Sequence, residues 1–379
     1  SDLDTQLFYS YGAAALALGV PAVEYPSAAL LPWMLLALPG SRELFTLLLP
    51  LLNLACDLLT VWAIWSIGAA RTAPQERGEP TAPGPAPLLA LFYALSPLLL
   101  PFWHAKYDPL PAALLVAGLA AFAQGRWGWA GAALGLGGAV KWVPWLAAPL
   151  LLWQLLREHD VLGAARLLAG MLAAAALSSL PFALLDPEAF SLPYRLQGGR
   201  AMTGESIWFL PAALLDPGLA AGVRAPWGPL PDAPVASWLT IGAQLLVLGG
   251  LWLAQTLAPA DRRRALVGAA LAPALFLLFN RVFSPQYLLI ISACVLAAAA
   301  AAASRRPLVL LVPLALMQAA NLLVWPNTVP YWLAASATVF ACGALVVGVV
   351  LQHAFRPGPQ GIFPLRQRVS RAPGGEQFE

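Results

Sequence analysis

Residues 130–156 read AGAALGLGGAVKWVPWLAAPLLLWQLL, and the topology of the whole chain depends on whether they make one pass or two. Read as a single helix, the segment carries Lys141 in its interior. Read as two short helices, it breaks at Lys141-Trp142-Val143-Pro144, because proline disrupts the helix that precedes it. Apolar runs lie on both sides of it, near 44–69, 87–103, 110–124, 162–184, 236–258, 265–281, 286–303, 307–325 and 332–351. Runs of about 18 or more apolar residues read as membrane spans. Of the 379 residues 60% are hydrophobic and only 10% charged, and the mean hydropathy is +0.73. The 36 Pro and 31 Gly suit helices that break and are re-satisfied inside a bundle. The sequence therefore predicts an all-α polytopic membrane protein.

Positive charge decides the reading of 128–156. Arginine-bearing connections lie at 71–77, 157–166, 262–264 and 305–306, and the tail adds Arg356, Arg366, Arg368 and Arg371. Such connections belong in the cytoplasm. Alternating spans put all of them there only if 128–156 passes twice; a single pass would place Arg262–Arg264 outside. The halves of this hairpin, about 14 residues each, would rise only about 21 Å. The expectation is eleven spans, with the N-terminus outside and the C-terminus inside. The first residues are polar and show no signal peptide; a missing first span ahead of Ser1 would make twelve. The predicted organisation is an external loop with juxtamembrane helices (1–43), a transmembrane bundle (44–351) and a disordered cytoplasmic tail (352–379). Within the bundle, 72–87 reads as a cytoplasmic linker and 185–235 as a long external loop. A net charge of +3 is too small to argue for nucleic acid, and none is expected as a partner. Cys56, Cys294 and Cys342 all sit in apolar runs, as packing residues rather than a disulfide framework.

This alternation collects the chemistry on the outer face. The carboxylates there are Asp2, Asp4, Glu24, Asp108 and Glu205, and the cations are Lys106, Lys141, Arg195, Arg200 and Arg281. Acids and bases at the rim of an apolar bundle suit a substrate with a hydrocarbon tail, a phosphate and a polar group needing proton transfer. Arginine offers phosphate a planar fork, and lysine a point charge. The plainer account of each residue is that external loops need charge for solvation.

Five stretches, in order, resemble the GT-C membrane glycosyltransferases, and within them family 87, the polyprenyl-phosphate-mannose-dependent mannosyltransferases. DTQLFYSYG…EYPS is similar to that family's first external loop, and KYDPLPAALLVAGLAAFAQGR to its Phe-Asp-Leu-Leu-Pro segment and following helix. AGAALGLGGAVKWVPWLAAPLLL resembles its Gly-rich helix ending in Lys-x-x-Pro, GRAMTGESIW its Arg-Gly-x-x-x-Glu-Ser loop, and RVFSPQYLL its Ser-Pro-Gln-Tyr segment. Together they span roughly residues 1–290. Ser27 replaces a second proline, Ala201 stands where glycine is usual, and the last three spans carry no matching motif.

The resemblance implies a GT-C helical bundle and a sugar, mannose foremost, moved from a polyprenyl phosphate to a glycolipid or glycan acceptor. It places the work on the external, periplasmic side of a bacterial plasma membrane. It implies Asp4 as the general base that takes the acceptor's proton in a single inverting displacement, with neither metal nor cofactor. Asp4 before Thr-Gln-Leu-Phe could instead cap a helix. Asp-Leu-Asp also invites a metal reading, set aside on the resemblance, which leaves Asp2 solvated. Glu24 and Tyr25 are candidates for orienting sugar or acceptor hydroxyls, and Lys106 and Asp108 for touching phosphate and sugar, or for capping their turn. Lys141, at membrane depth beside Val140 and Trp142, needs a partner such as a lipid phosphate, or must snorkel to the interface. Arg281 is the second phosphate candidate. Arg200 and Glu205 lie in a Gly- and Trp-rich loop that suits a cover ordering over substrate. Tyr9, Tyr11, Tyr287 and Trp208 could stack on sugars, or belong to an interfacial belt. His104 reads as interfacial. Asp57, with Asn53 one turn earlier, is a functional candidate or a bond to a neighbouring helix.

Two further function classes compete. A transporter or flippase for a lipid-linked sugar would explain broken helices and buried charge, but no half-chain self-similarity is visible. A non-catalytic scaffold would leave the carboxylates and cations without a reason. The sugar could also be arabinose, glucose or another pentose or hexose, since fold does not fix substrate.

Overall fold

The apolar runs become helices because nothing in lipid can satisfy a backbone amide except its own chain. The structure, a computed structural model, describes residues 2–17, 19–70, 84–230, 235–303, 307–326 and 330–355. Among the described residues there is no strand. In chain order the helices begin with α1 (Asp2–Leu16), α2 (Leu30–Ala37), α3 (Arg42–Ala69), α4 (Ala86–Ala94), α5 (Leu99–Trp103) and α6 (Pro109–Ala123). Then come α7 (Trp127–Val140), α8 (Ala148–Arg157), α9 (Val161–Leu185), α10 (Pro187–Gly199), α11 (Phe209–Leu215) and α12 (Pro217–Ala221). The last are α13 (Ser237–Leu257), α14 (Arg262–Leu278), α15 (Tyr287–Ala302), α16 (Pro307–Val324) and α17 (Trp332–Phe355). Helices α3, α9, α13, α16 and α17 are each long and apolar enough to cross a membrane.

The 130–156 stretch does break where proline requires it. Helix α7 ends at Val140, Lys141 is extended at φ −155°, and a 3₁₀ turn over Val143–Ala147 leads into α8. The chain reverses there. The Arg262 guanidinium lies 5.0 Å from the Trp127 ring at the start of α7 and 2.6 Å from Glu158 just past the end of α8. One residue thus touches both ends of the segment, while Lys141 stands at the opposite end. The bundle has two chemically distinct ends. At the Arg262 end, Arg157 donates to the carbonyls of Gln255 (2.8 Å) and Ala258 (2.7 Å), and Arg263 donates to those of Ala302 and His353. Residues 71–83, 304–306 and 356–379 lie outside the described residues, and with them most of the expected 72–87 linker, the Arg305–Arg306 connection and most of the tail. The linker's last two residues are helical instead, as the start of α4.

Helix α7 is rich in glycine because it lies against the backbone of α9. A Cβ on Gly131 would collide with the Leu167 carbonyl, and one on Gly135 with that of Met171. Small residues at such a seam let helices approach closely where lipid gives no hydrophobic drive. The span expected over 87–103 is two helices, α4 and α5. Pro97 lacks an amide proton and biases Ser96 away from helical geometry, so the run is cut. The predicted loop 185–235 contains α10, α11 and α12. Asp186 caps α10 by accepting from Glu188 and Ala189, Asp216 caps α12, and Asp160 and Asp261 cap α9 and α14.

Asp57 is a bond between helices. Its Oδ1 accepts from Tyr93 Oη (2.8 Å) and its Oδ2 from Trp103 Nε1 (2.6 Å). Asn53 on the same face donates to the carbonyls of Trp103 and Lys106, each at 2.8 Å. Together they tie α3 to α4 and α5, and fix the turn that carries Lys106 and Asp108.

Candidate active site

At the end of the bundle opposite Arg262, an open cleft is walled by residues far apart in sequence. An aromatic cluster builds one wall. Phe8 of α1 stacks on Trp33 of α2 at 4.5 Å, and Tyr107 lies 5.2 Å from Tyr25 and 5.4 Å from Trp33. Such pairs contribute about 0.5–1.5 kcal/mol each beyond their buried area. They dock α1 on the turn after α5, where Thr5 Oγ1 also donates to the His104 carbonyl at 2.6 Å. Burial pushes the Tyr25 and Tyr107 phenols well up, aided by Glu24 and Asp108 respectively, so both are neutral hydroxyls at neutral pH.

Three ion pairs set the electrostatics. Lys106 Nζ meets Asp4 Oδ2 at 2.6 Å, with both side chains partly exposed. Lys141 Nζ meets Asp108 Oδ1 at 2.5 Å, with the carboxylate 1% exposed, and the ammonium lies 4.7 Å from the Tyr287 ring and 5.4 Å from that of Tyr107. Arg200 and Glu24 are 3.9 Å apart and roughly 40% exposed each. Each cation lining the cleft is therefore held by one carboxylate, and the lining is close to neutral. An anionic ligand gains an uncompensated cation there only by drawing one from its acid, and the loosest pair is Arg200–Glu24.

Seven of the residues expected at the site line this cleft: Glu24, Tyr25, Lys106, Asp108, Lys141, Arg200 and Tyr287. Asp4 stands one salt bridge behind Lys106. It is not a helix cap, because α1 begins at Asp2 and Asp4 lies in its first turn. Asp108 occupies the N-cap position of α6 yet makes no capping bond, since its carboxylate goes to Lys141. Two expected residues lie apart. Arg281 donates to Ser237 Oγ, and Glu205 is buried in a separate small cavity beside α16 and α17. Tyr9 donates to the Gly40 carbonyl and Trp208 to that of Phe279, so both are tied to backbone. Among the described residues, no three His, Cys, Asp or Glu side chains gather into a ligand set.

Sequence reasoning missed several lining amides and hydroxyls. Gln197 on α10 donates to the Glu24 carbonyl at 3.3 Å, drawing α10 over the 19–26 segment. Asn280, Ser284 and Gln286 line the cleft from the α14–α15 connection. Gln286 had a signal, since it lies inside the Ser-Pro-Gln-Tyr stretch; Gln197 had none.

No curated protein and no solved structure matches the chain. The family model described as Glycosyltransferase family 87 matches residues 24–218, just over half of the sequence. The match takes in Glu24, Lys106, Asp108, Lys141, Arg200 and Glu205, and leaves the Asp4 stretch and the Ser-Pro-Gln-Tyr segment outside it. With its apolar helices and this match, the chain belongs to glycosyltransferase family 87.

Proposed function

We propose that the protein transfers a hexose, mannose foremost, from a polyprenyl phosphate to a lipid or glycan acceptor at the external face of the membrane. The observation that supports it best is the cleft itself: three cation–carboxylate pairs and an aromatic wall at one end of an apolar bundle. A polyprenyl tail can remain in lipid while its phosphate reaches Arg200 and Lys106. Asp4 is the general base of this reading. The acceptor hydroxyl attacks the anomeric carbon, the bond from that carbon to the phosphate oxygen breaks, and polyprenyl phosphate leaves with the electron pair. The hydroxyl proton passes to Asp4, whose Oδ1 lies opposite the oxygen that holds Lys106. One displacement inverts the anomeric centre and needs no nucleophilic carboxylate.

Purified protein incubated with radiolabelled polyprenyl-phosphate mannose and a membrane lipid extract tests this directly, in wild type and Asp4→Asn. Label should enter a new lipid with the wild type alone. Equal transfer by both would remove Asp4 from the mechanism. Transfer by neither, with labelled lipid crossing vesicle bilayers, would replace the transferase reading with that of a flippase.

A further inference from the structure

Glu205 is a carboxylic acid buried inside protein. It is 2% exposed, and neither carboxylate oxygen has a hydrogen-bond partner among the described residues. Its small cavity is closed by Phe283, Asn321, Val324, Ser336, Val339 and Phe340, none of them titratable. Along the neighbouring elements, the charged side chains nearest in sequence face elsewhere. Arg281 donates to Ser237, and Arg224 is exposed. Helix α16 has no titratable residue; on α17, Cys342 is half-buried and does not line the cavity, and His353 lies at the opposite end of the bundle. An ionised carboxylate here would carry an uncompensated desolvation cost.

The backbone around Glu205 is stitched to the core on both sides. The Glu205 amide donates to the Pro226 carbonyl at 3.1 Å, and that of Thr203 to the Arg281 carbonyl at 3.1 Å. Thr203 Oγ1 donates to the Phe283 carbonyl at 2.9 Å, and Trp208 Nε1 to that of Phe279 at 2.8 Å. Arg200, three residues before Thr203, is the member of this loop that reaches the cleft. We infer that Glu205 is a positioning residue: an uncharged acid that plugs the 200–208 loop into α16 and α17 and so fixes where Arg200 stands. Its bearing on transfer rests on the donor-binding role proposed above for Arg200; its bearing on the loop does not.

Burial pushes the Glu205 carboxyl well above the usual carboxylate range. Since the folded value lies above the unfolded one of about 4.3, the plug contributes its full stability below that unfolded value. The contribution is lost as pH rises through the higher folded value.

Amide exchange read by mass spectrometry over peptides covering 200–208, corrected for intrinsic exchange, tests the plug in the full chain from about pH 6 to about pH 9. In wild type, protection should fall roughly tenfold toward the alkaline end. Glu205→Gln, neutral and of the same shape, should stay protected throughout, and Glu205→Ala should lose protection even at low pH. The donor KM should rise for Glu205→Ala and not for Glu205→Gln. An alkaline loss equal in wild type and Glu205→Gln would overturn the inference, as would a Gln variant whose loop is open at every pH. Protection that behaves as expected in variants that all fail to transfer sugar would uphold the plug and overturn the transferase reading instead.

Discussion

Lys141 and Asp108 are 2.5 Å apart, one at the end of α7 and the other at the start of α6, and the carboxylate is 1% exposed. A buried pair need not stabilise relative to apolar residues, but removing one partner strands the other. Asp108→Asn and Lys141→Met should therefore each lower stability by about 3–5 kcal/mol. The double variant should lose much less than the sum. A double-mutant cycle of melting temperatures in detergent checks this, and additive losses would show that the two side chains act independently.

Arg200 and Glu24 should behave in the opposite way. Their 3.9 Å separation and exposure leave them screened by solvent, so Arg200→Gln should change stability by no more than about 1 kcal/mol. Its effect should fall on the donor KM, raised roughly tenfold, equivalent to about 1.4 kcal/mol. A variant that melts early with an unchanged KM would make Arg200 a structural residue.

The seam between α7 and α9 gives a third expectation. A side chain at Gly135 would meet the Met171 backbone, which cannot yield as the tip of a flexible side chain would. Gly135→Val should cost about 1–3 kcal/mol through overpacking. It should also reduce transfer by displacing Lys141, six residues along the same chain. Thermal melting alongside turnover per folded molecule checks both effects, and an unchanged melting temperature would mean that the helices part without penalty.

The hairpin was legible because charge alternation is a global constraint, and Arg262 meeting both Trp127 and Glu158 is its physical counterpart. Lys141 was legible for a local reason, as a lysine flanked by apolar residues needs a partner; the expected one was a lipid phosphate, and Asp108 holds it here. Other features were not. Nothing near Arg281 in sequence says that Ser237 will meet its guanidinium, 44 positions away. Glu205 reads as a substrate-facing acid of a loop cover, and only the packing of α16 and α17 shows that it turns into the protein instead. The break at Pro97 was visible as a proline, but prolines also stand inside α3, α9 and α16. Only the packing of α4 and α5 distinguishes the one that cuts its run.

Asp57 separates a structural acid from a catalytic one. Trp103 Nε1 can only donate, whereas the Tyr93 hydroxyl can also accept. Asparagine at position 57 can therefore keep its carbonyl on Trp103 and donate its amide to Tyr93, so Asp57→Asn should be mild. Leucine strands both groups, and each buried donor left without a partner costs about 1–3 kcal/mol. Asp57→Leu should melt well below the wild type and, with the turn that carries Lys106 loosened, transfer sugar more slowly, while Asp57→Asn keeps close to the wild-type rate. Turnover normalised to folded protein, measured beside Asp4→Asn, checks the distinction. A folded Asp57→Asn variant without activity would bring Asp57 into the chemistry, despite its burial away from the cleft.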